Sequence, residues 1–405
     1  MNIFKKIFSS KKAEGSDQLK SDSTSVTVPS NAEEHKMDID SMMNRAEEEK
    51  ANGNLEQYAV WLRRAADAGS AEAKYLLGIC YDTGTGVPQN LEGAFRWCER
   101  AAQQGNADAQ LYMGESYIRG DFVREDYNMA LDWLMQASEK GCAKAEFLVG
   151  EIYAKAFQNK QEAIEWYKKA AADSSPEAME IIGFDYQTGI GVDKDITKAI
   201  SLYESAAENG NTMAMFRLGK CYQSGTDVKQ DYALAIEWFR KGVEAGNAYC
   251  QTELGYMYKE GLGIETDSRE AFKWYNEAAK QDDAFALYWI GMFYKSGYGV
   301  EQDNALAFQA FAKSADLGFA ESMLQLGKCY GEGLGTEQDY TKALEWYWEA
   351  GTQDNGEAQY LAGQCFEKGL GTPVNIGMAT DAYQKAVANG YTKASLALNS
   401  LLEDR

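Results

Sequence analysis

Residues 71–106 read AEAKYLLGICYDTGTGVPQNLEGAFRWCERAAQQGN, and their pattern returns along most of the chain. Ala73, Gly78 and Tyr81 lie three to five residues apart, so they share one face of a first helix. Gly84-Thr85-Gly86-Val87 follows as a turn, glycine being the residue that punctuates helices. Trp97, Ala101 and Ala102 then stripe a second helix that stops at Gly105, where a helix end enters the left-handed region. The landmark glycine recurs at Gly78, Gly114, Gly150, Gly183, Gly219, Gly255, Gly291, Gly327 and Gly363, always 36 residues apart except for one step of 33. Such a period is the signature of a stacked repeat. One helical hairpin cannot bury both of its faces, and the next hairpin covers what it leaves open.

Asp126, Asp195, Asp231, Asp267, Asp303 and Asp339 stand where a second helix opens. Each is expected to cap it by accepting free backbone N–H groups. Asp267 with Glu270 has the spacing of a reciprocal capping box. Second helices end on Gly69, Gly105, Gly141, Gly210, Gly246, Gly318 and Gly390, and on Ser174, Asp282 and Asp354 elsewhere. The third repeat lacks three residues and its double-glycine turn, running from Ala154 to Lys160 instead. The tryptophan position holds Leu202, Ala310 and Ala382 in the fourth, seventh and ninth repeats.

The Leu-Gly pairs (Leu77-Gly78, Leu218-Gly219, Leu254-Gly255, Leu326-Gly327), the Gly-x-Gly-Val turn with its following Asp, and the stripe Ala163, Trp166, Tyr167, Ala170, Ala171 resemble the Sel-one-like repeat family, a branch of the tetratricopeptide superfamily. The resemblance implies an all-α fold, a right-handed α/α superhelical solenoid. Its expected parts are a degenerate repeat over 37–72, repeats over 73–393 and a capping helix over 394–405, with Asn399 in the glycine place. It also implies a non-catalytic scaffold or adaptor that binds a peptide or protein partner in a concave groove lined by the first helices. Weak β-lactamase-like hydrolysis is the alternative drawn from some relatives.

Composition narrows the function further. With 45% apolar and 25% charged residues, the 405-residue chain can bury a core and is not disordered as a whole. Its net charge of −22 opposes a nucleic-acid partner, which would need a cationic footprint. The single histidine, His35, lies in a polar segment and leaves no basis for a His-based triad or zinc site. No metal or cofactor is expected. The seven cysteines are odd in number and scattered, which fits a reducing compartment and a cytoplasmic location. Cys80, Cys221, Cys329 and Cys365 share one repeat position and are expected to be small packing residues.

Residues 1–36 read as a disordered polar tail. Met1, Phe4, Ile7 and Phe8 can share a helical face with Lys5, Lys6 and Lys12 elsewhere, the pattern of a tethered adaptor. So short a segment buries little area, so membrane contact is not expected, and the protein is expected to be a monomer.

In tetratricopeptide-like solenoids the positions one and four after the landmark glycine look inward. Here they are Phe184, Lys220, Gln223, Tyr256, Lys259, Met292, Lys295 and Lys328. Four lysines with three apolar residues form a local bias in an acidic chain, suited to an acidic segment of a partner. Lys259 and Lys295 also fall in the last turn of their helices, where a cation favours the helix dipole. Trp348 is the second candidate, a tryptophan at a mostly polar repeat position and of a type that anchors interfaces.

Overall fold

A computed structural model describes residues 37–403, and among these the chain forms 21 helices and no strand. It divides into two compact units, the first ending at Ala206 and the second beginning at Ala207. The first contains α1 (Ile39–Ala51), α2 (Leu55–Asp67), α3 (Ala71–Thr83), α4 (Leu91–Gln103), α5 (Ala107–Arg119), α6 (Tyr127–Ser138), α7 (Ala143–Lys155), α8 (Lys160–Ala172), α9 (Pro176–Thr188) and most of α10 (Ile196–Glu208). The second contains α11 (Thr212–Ser224), α12 (Tyr232–Glu244), α13 (Ala248–Glu260), α14 (Ser268–Ala279), α15 (Ala284–Ser296), α16 (Asn304–Asp316), α17 (Ala320–Glu332), α18 (Tyr340–Thr352), α19 (Gly356–Lys368), α20 (Ile376–Ala388) and α21 (Lys393–Glu403). Within each unit consecutive helices pack on one another as a solenoid. From α3 onward the odd-numbered helices are the first helices of the repeats.

The landmark glycines let the two helices of a repeat approach closely. A Cβ at Gly219 would lie 2.3 Å from Phe239, at Gly327 2.6 Å from Tyr347 and at Gly363 2.5 Å from Tyr383. The ring of each second helix therefore rests against the backbone of the first, with Phe239 and Tyr383 wholly buried. The second glycine of the turn serves the contact between repeats. A Cβ at Gly335 would lie 2.0 Å from the Asn304 carbonyl oxygen and one at Gly371 2.3 Å from that of Tyr340, and both glycines have φ near +70°. The shortened third repeat turns instead through Gln158, at φ 53°.

All six expected aspartate caps form, each side chain accepting from backbone N–H groups of its helix's first turn. The reciprocal half of the Asp267–Glu270 box does not. The Asp267 N–H donates to the Tyr258 carbonyl at 3.0 Å, and the Glu270 carboxylate accepts from Lys273. The same brace recurs, for Asp126 on Tyr117, Asp195 on Tyr186, Asp231 on Tyr222, Asp303 on Tyr294 and Asp339 on Tyr330. A second helix is thus tied to the tyrosine of the first, and no donor is left for a glutamate. Ser174, Asp282 and Asp354 keep the left-handed conformation of the glycines they replace, with φ of 73°, 58° and 62°.

Cys80, Cys221, Cys329 and Cys365 are buried, and burial pushes the Cys80 and Cys365 thiols up to about 11. They are packing groups. No helix of the described residues is long and apolar enough to cross a membrane. The tail over 1–36, His35 and the tether residues included, lies outside the described residues, as do residues 404–405.

Candidate interaction face

The second unit brings Lys220 and Gln223 on α11, Tyr256 and Lys259 on α13, Met292 and Lys295 on α15 and Lys328 on α17 to equivalent positions of four first helices. Gln223 is buried and the others are half-buried, so they form the floor of a surface rather than projections from it. Phe184 lies on α9, in the first unit, and is half-buried. Lys259 and Lys295 sit in the last turns of their helices, as expected.

The lysines do not stand as bare positive charge. Lys220 Nζ pairs with Glu253 Oε1 at 2.9 Å, and Gln223 Nε2 donates to the other oxygen of that carboxylate at 3.0 Å. Lys328 Nζ pairs with Glu357 Oε1 at 2.8 Å, and Lys295 Nζ donates to Gln325 Oε1 at 2.9 Å. Lys259 pairs with Glu260, and its ammonium lies 4.2 Å from the ring centre of Trp289 and 5.6 Å from that of Tyr256. Lys220, Lys259, Lys295 and Lys328 each reach an acceptor or ring on the next first helix. The charge excess read from the sequence is largely balanced locally, and the groups are fixed as a ladder across the repeat seams.

Glu253, Glu357, Gln325 and Trp289 are the members of this face that sequence reasoning missed. Glu253, Trp289 and Gln325 all stand two residues before a landmark glycine, one helical turn from the positions that were read, and that is the signal which would have found them. At one end of the face a cavity of 420 Å³ opens among Lys220, Gln223, Tyr232, Glu253, Tyr256 and Phe285. A cation, a carboxylate, an amide and three rings there offer both hydrogen bonds and apolar contact.

Trp348 is elsewhere, on second helix α18. It is 42% exposed, meets Phe366 edge-on at 5.9 Å between ring centres and has the Lys385 ammonium 5.9 Å from its ring. It belongs to a different surface from the lysine ladder.

Carboxylates occur inside the first unit. Glu146 is wholly buried between Lys169, at 3.0 Å, and Ser138, at 3.3 Å. Burial raises its pKa, with Lys169 opposing. Tyr167 Oη donates to Glu151 at 2.6 Å. Glu146 Oε2 is buried without a hydrogen-bond partner, and both carboxylates lie within the shortened third repeat. Among the described residues no group of three or more His, Cys, Asp or Glu is placed to hold a metal ion.

The family model of the Sel1 repeat matches a partial segment at 59–70 and nine full segments that run without a break from 71–106 to 356–391. No curated protein matches the chain. Among solved structures, c5321, a protective antigen present in uropathogenic Escherichia coli strains and displaying an SLR fold, is 28% identical with a TM-score of 0.72, over 92% of this chain and 81% of that one. A Sel1 repeat protein from Oxalobacter formigenes is 32% identical with a TM-score of 0.54, over 60% of this chain and 96% of that one.

Proposed function

This chain belongs to the Sel1 repeat family, whose members generally mediate protein–protein interaction, and from that premise we propose that it is a non-catalytic scaffold whose second unit engages a protein partner along α11, α13, α15 and α17. One observation carries the reading. The ladder of Lys220, Lys259, Lys295 and Lys328 with its acceptors is held in place before any partner arrives. A surface already ordered loses less entropy on binding.

The partner presents an extended segment with at least one carboxylate and one large apolar side chain. Each ammonium has three donors, so a partner carboxylate can join Glu253 or Glu357 rather than displace it. Because those glutamates already balance the lysines, long-range steering is modest, and Tyr256, Met292 and Phe285 supply most of the affinity. The odd number and scattered spacing of the seven cysteines support action in a reducing compartment such as the cytoplasm, and the protein acts as a monomer within the complex.

The test is affinity capture on the intact chain, comparing wild type with Tyr256→Ala/Met292→Ala and with Lys220→Ala/Lys328→Ala. The apolar pair should reduce capture of the same partner by at least about tenfold, with unaltered salt dependence, while the lysine pair should flatten the salt dependence. Equal capture by all three folded proteins removes the site from this face.

A further inference from the structure

Three departures from the repeat, each in a different helix, meet at one place. Gly351 on α18 stands where most repeats carry alanine, as at Ala66 and Ala315. Ala362 on α19 stands before its landmark glycine, where the other eight full repeats carry Leu, Ile, Met or Val. Ala382 on α20 stands where Trp97, Trp133, Trp166, Trp238, Trp274 and Trp346 stand in theirs. All three line one cavity of 150 Å³, with Tyr347, Trp348 and Lys385 also in its wall. The seventh repeat also has alanine at the tryptophan position, but there Ala279 and Ile290 stand in place of Gly351 and Ala362 and pack in one cluster with Ala310. Only at the ninth repeat do all three losses of volume coincide.

Another repeat shows what fills this space. In the first, Trp97 packs on the cluster that contains Leu62, Ala66 and Leu77. Its ring has the guanidinium of Arg63 at 5.1 Å and that of Arg100 at 5.0 Å. Arg63 and Arg100 occupy the repeat positions of Trp348 and Lys385, and Ala66, Leu77 and Trp97 those of Gly351, Ala362 and Ala382. The cation three residues after the tryptophan recurs over its ring in Trp166–Lys169 and Trp238–Lys241, at 5.0 and 4.1 Å. In the ninth repeat that cation remains as Lys385, while its ring is gone.

We propose that the cavity between α18, α19 and α20 is a binding site for an aromatic side chain, of indole size, presented by a partner polypeptide. The incoming ring takes the place of the repeat's tryptophan, against the Ala382 methyl, beside Trp348 and beneath the Lys385 ammonium. Apolar walls supply the burial, and the cation over the ring selects an aromatic over an aliphatic group. The site is distinct from the first-helix face, and its test reads it whether or not that face binds.

The full chain is titrated with the blocked pentapeptide Gly-Gly-Trp-Gly-Gly, the same peptide with alanine at its centre, and free indole, following ligand proton resonances by NMR. The tryptophan peptide is expected to bind saturably and the alanine peptide not to bind. Ala382→Trp, which restores the residue of the other repeats, should abolish binding and raise the melting temperature. Ala362→Leu should weaken binding by at least about tenfold by filling the opposite wall, and it decides the matter alone if Ala382→Trp does not fold. Lys385→Gln should weaken it about two- to fivefold. Absence of binding to the folded wild type, or binding that persists at full strength in the refilled variants, overturns the proposal. Tighter binding of indole than of the peptide overturns the assignment to a polypeptide.

Discussion

Gly327→Ala should weaken the fold although alanine is the better helix former. The added Cβ would lie 2.6 Å from Cδ1 and Cε1 of Tyr347 and 3.2 Å from the Ala343 carbonyl oxygen. Ordinary contact needs the ring to retreat by roughly 1 Å, in an interior packed as densely as an organic crystal. Overpacking of this kind costs about 1–3 kcal/mol, and the helix gains about 1 kcal/mol from replacing glycine. The net loss is therefore about 0–2 kcal/mol. Gly331, one turn further along α17, supplies the internal control. A Cβ there meets only the Tyr347 hydroxyl, at 3.3 Å, and the Ala343 methyl, at 3.7 Å, so Gly331→Ala should leave stability unaltered or raise it. Urea unfolding followed by circular dichroism ranks the two. In a Tyr347→Ala background the clash is absent, and Gly327→Ala should then cost nothing. Gly327→Ala equal to or more stable than Gly331→Ala would refute the close-approach account of the landmark glycine.

Ser174→Gly should raise stability by up to about 1 kcal/mol, because serine holds φ 73° there at a cost that glycine avoids; a thermal melt reads the shift. Gly335→Ala should cost more than about 2 kcal/mol, since its Cβ collides with backbone of the preceding repeat, and hydrogen exchange should show faster opening at α16 and α17. Burial raises the Asp185 carboxyl above its ordinary value of 3.8, with Lys160 opposing. The folded state then holds that proton more readily than the unfolded chain, so the stability it contributes is fully present below 3.8 and is lost as pH rises from there through the raised value. Asp185→Asn should accordingly raise the melting temperature at pH 7 by sparing a buried charge, and should flatten the dependence measured upward from the ordinary carboxylate value of 3.8.

Much of the fold was legible because its determinants are local and repeat. A glycine at a 36-residue period, an aspartate before each second helix and a left-handed residue after it are all read from short windows. Ser174, Asp282 and Asp354 could be placed from register alone, and they adopt the conformation that the register demands. The capping box failed for a reason no window shows: the Tyr258 carbonyl already takes the Asp267 N–H. Register places the lysines at equivalent positions of the first helices, but it does not show the groups that pair with them. Lys220 meets Glu253 and Lys328 meets Glu357 from 33 and 29 residues away, and only side-chain direction across the repeat seam decides such pairs. The cavity beside Trp348 was hidden more deeply. Gly351, Ala362 and Ala382 lie in three helices, and each loss of volume is unremarkable until all three are seen to share one space.

The central claim is that α11, α13, α15 and α17 of the second unit present the partner surface. A photo-crosslinking residue placed in turn at Lys259, at Lys295 and at Lys168 on second helix α8 tests it most directly, with the intact chain and cross-linked peptides identified by mass spectrometry. Cross-links to one and the same protein segment from positions 259 and 295, and none from position 168, are the predicted result. Partner cross-links from position 168 with none from 259 or 295 would contradict the account.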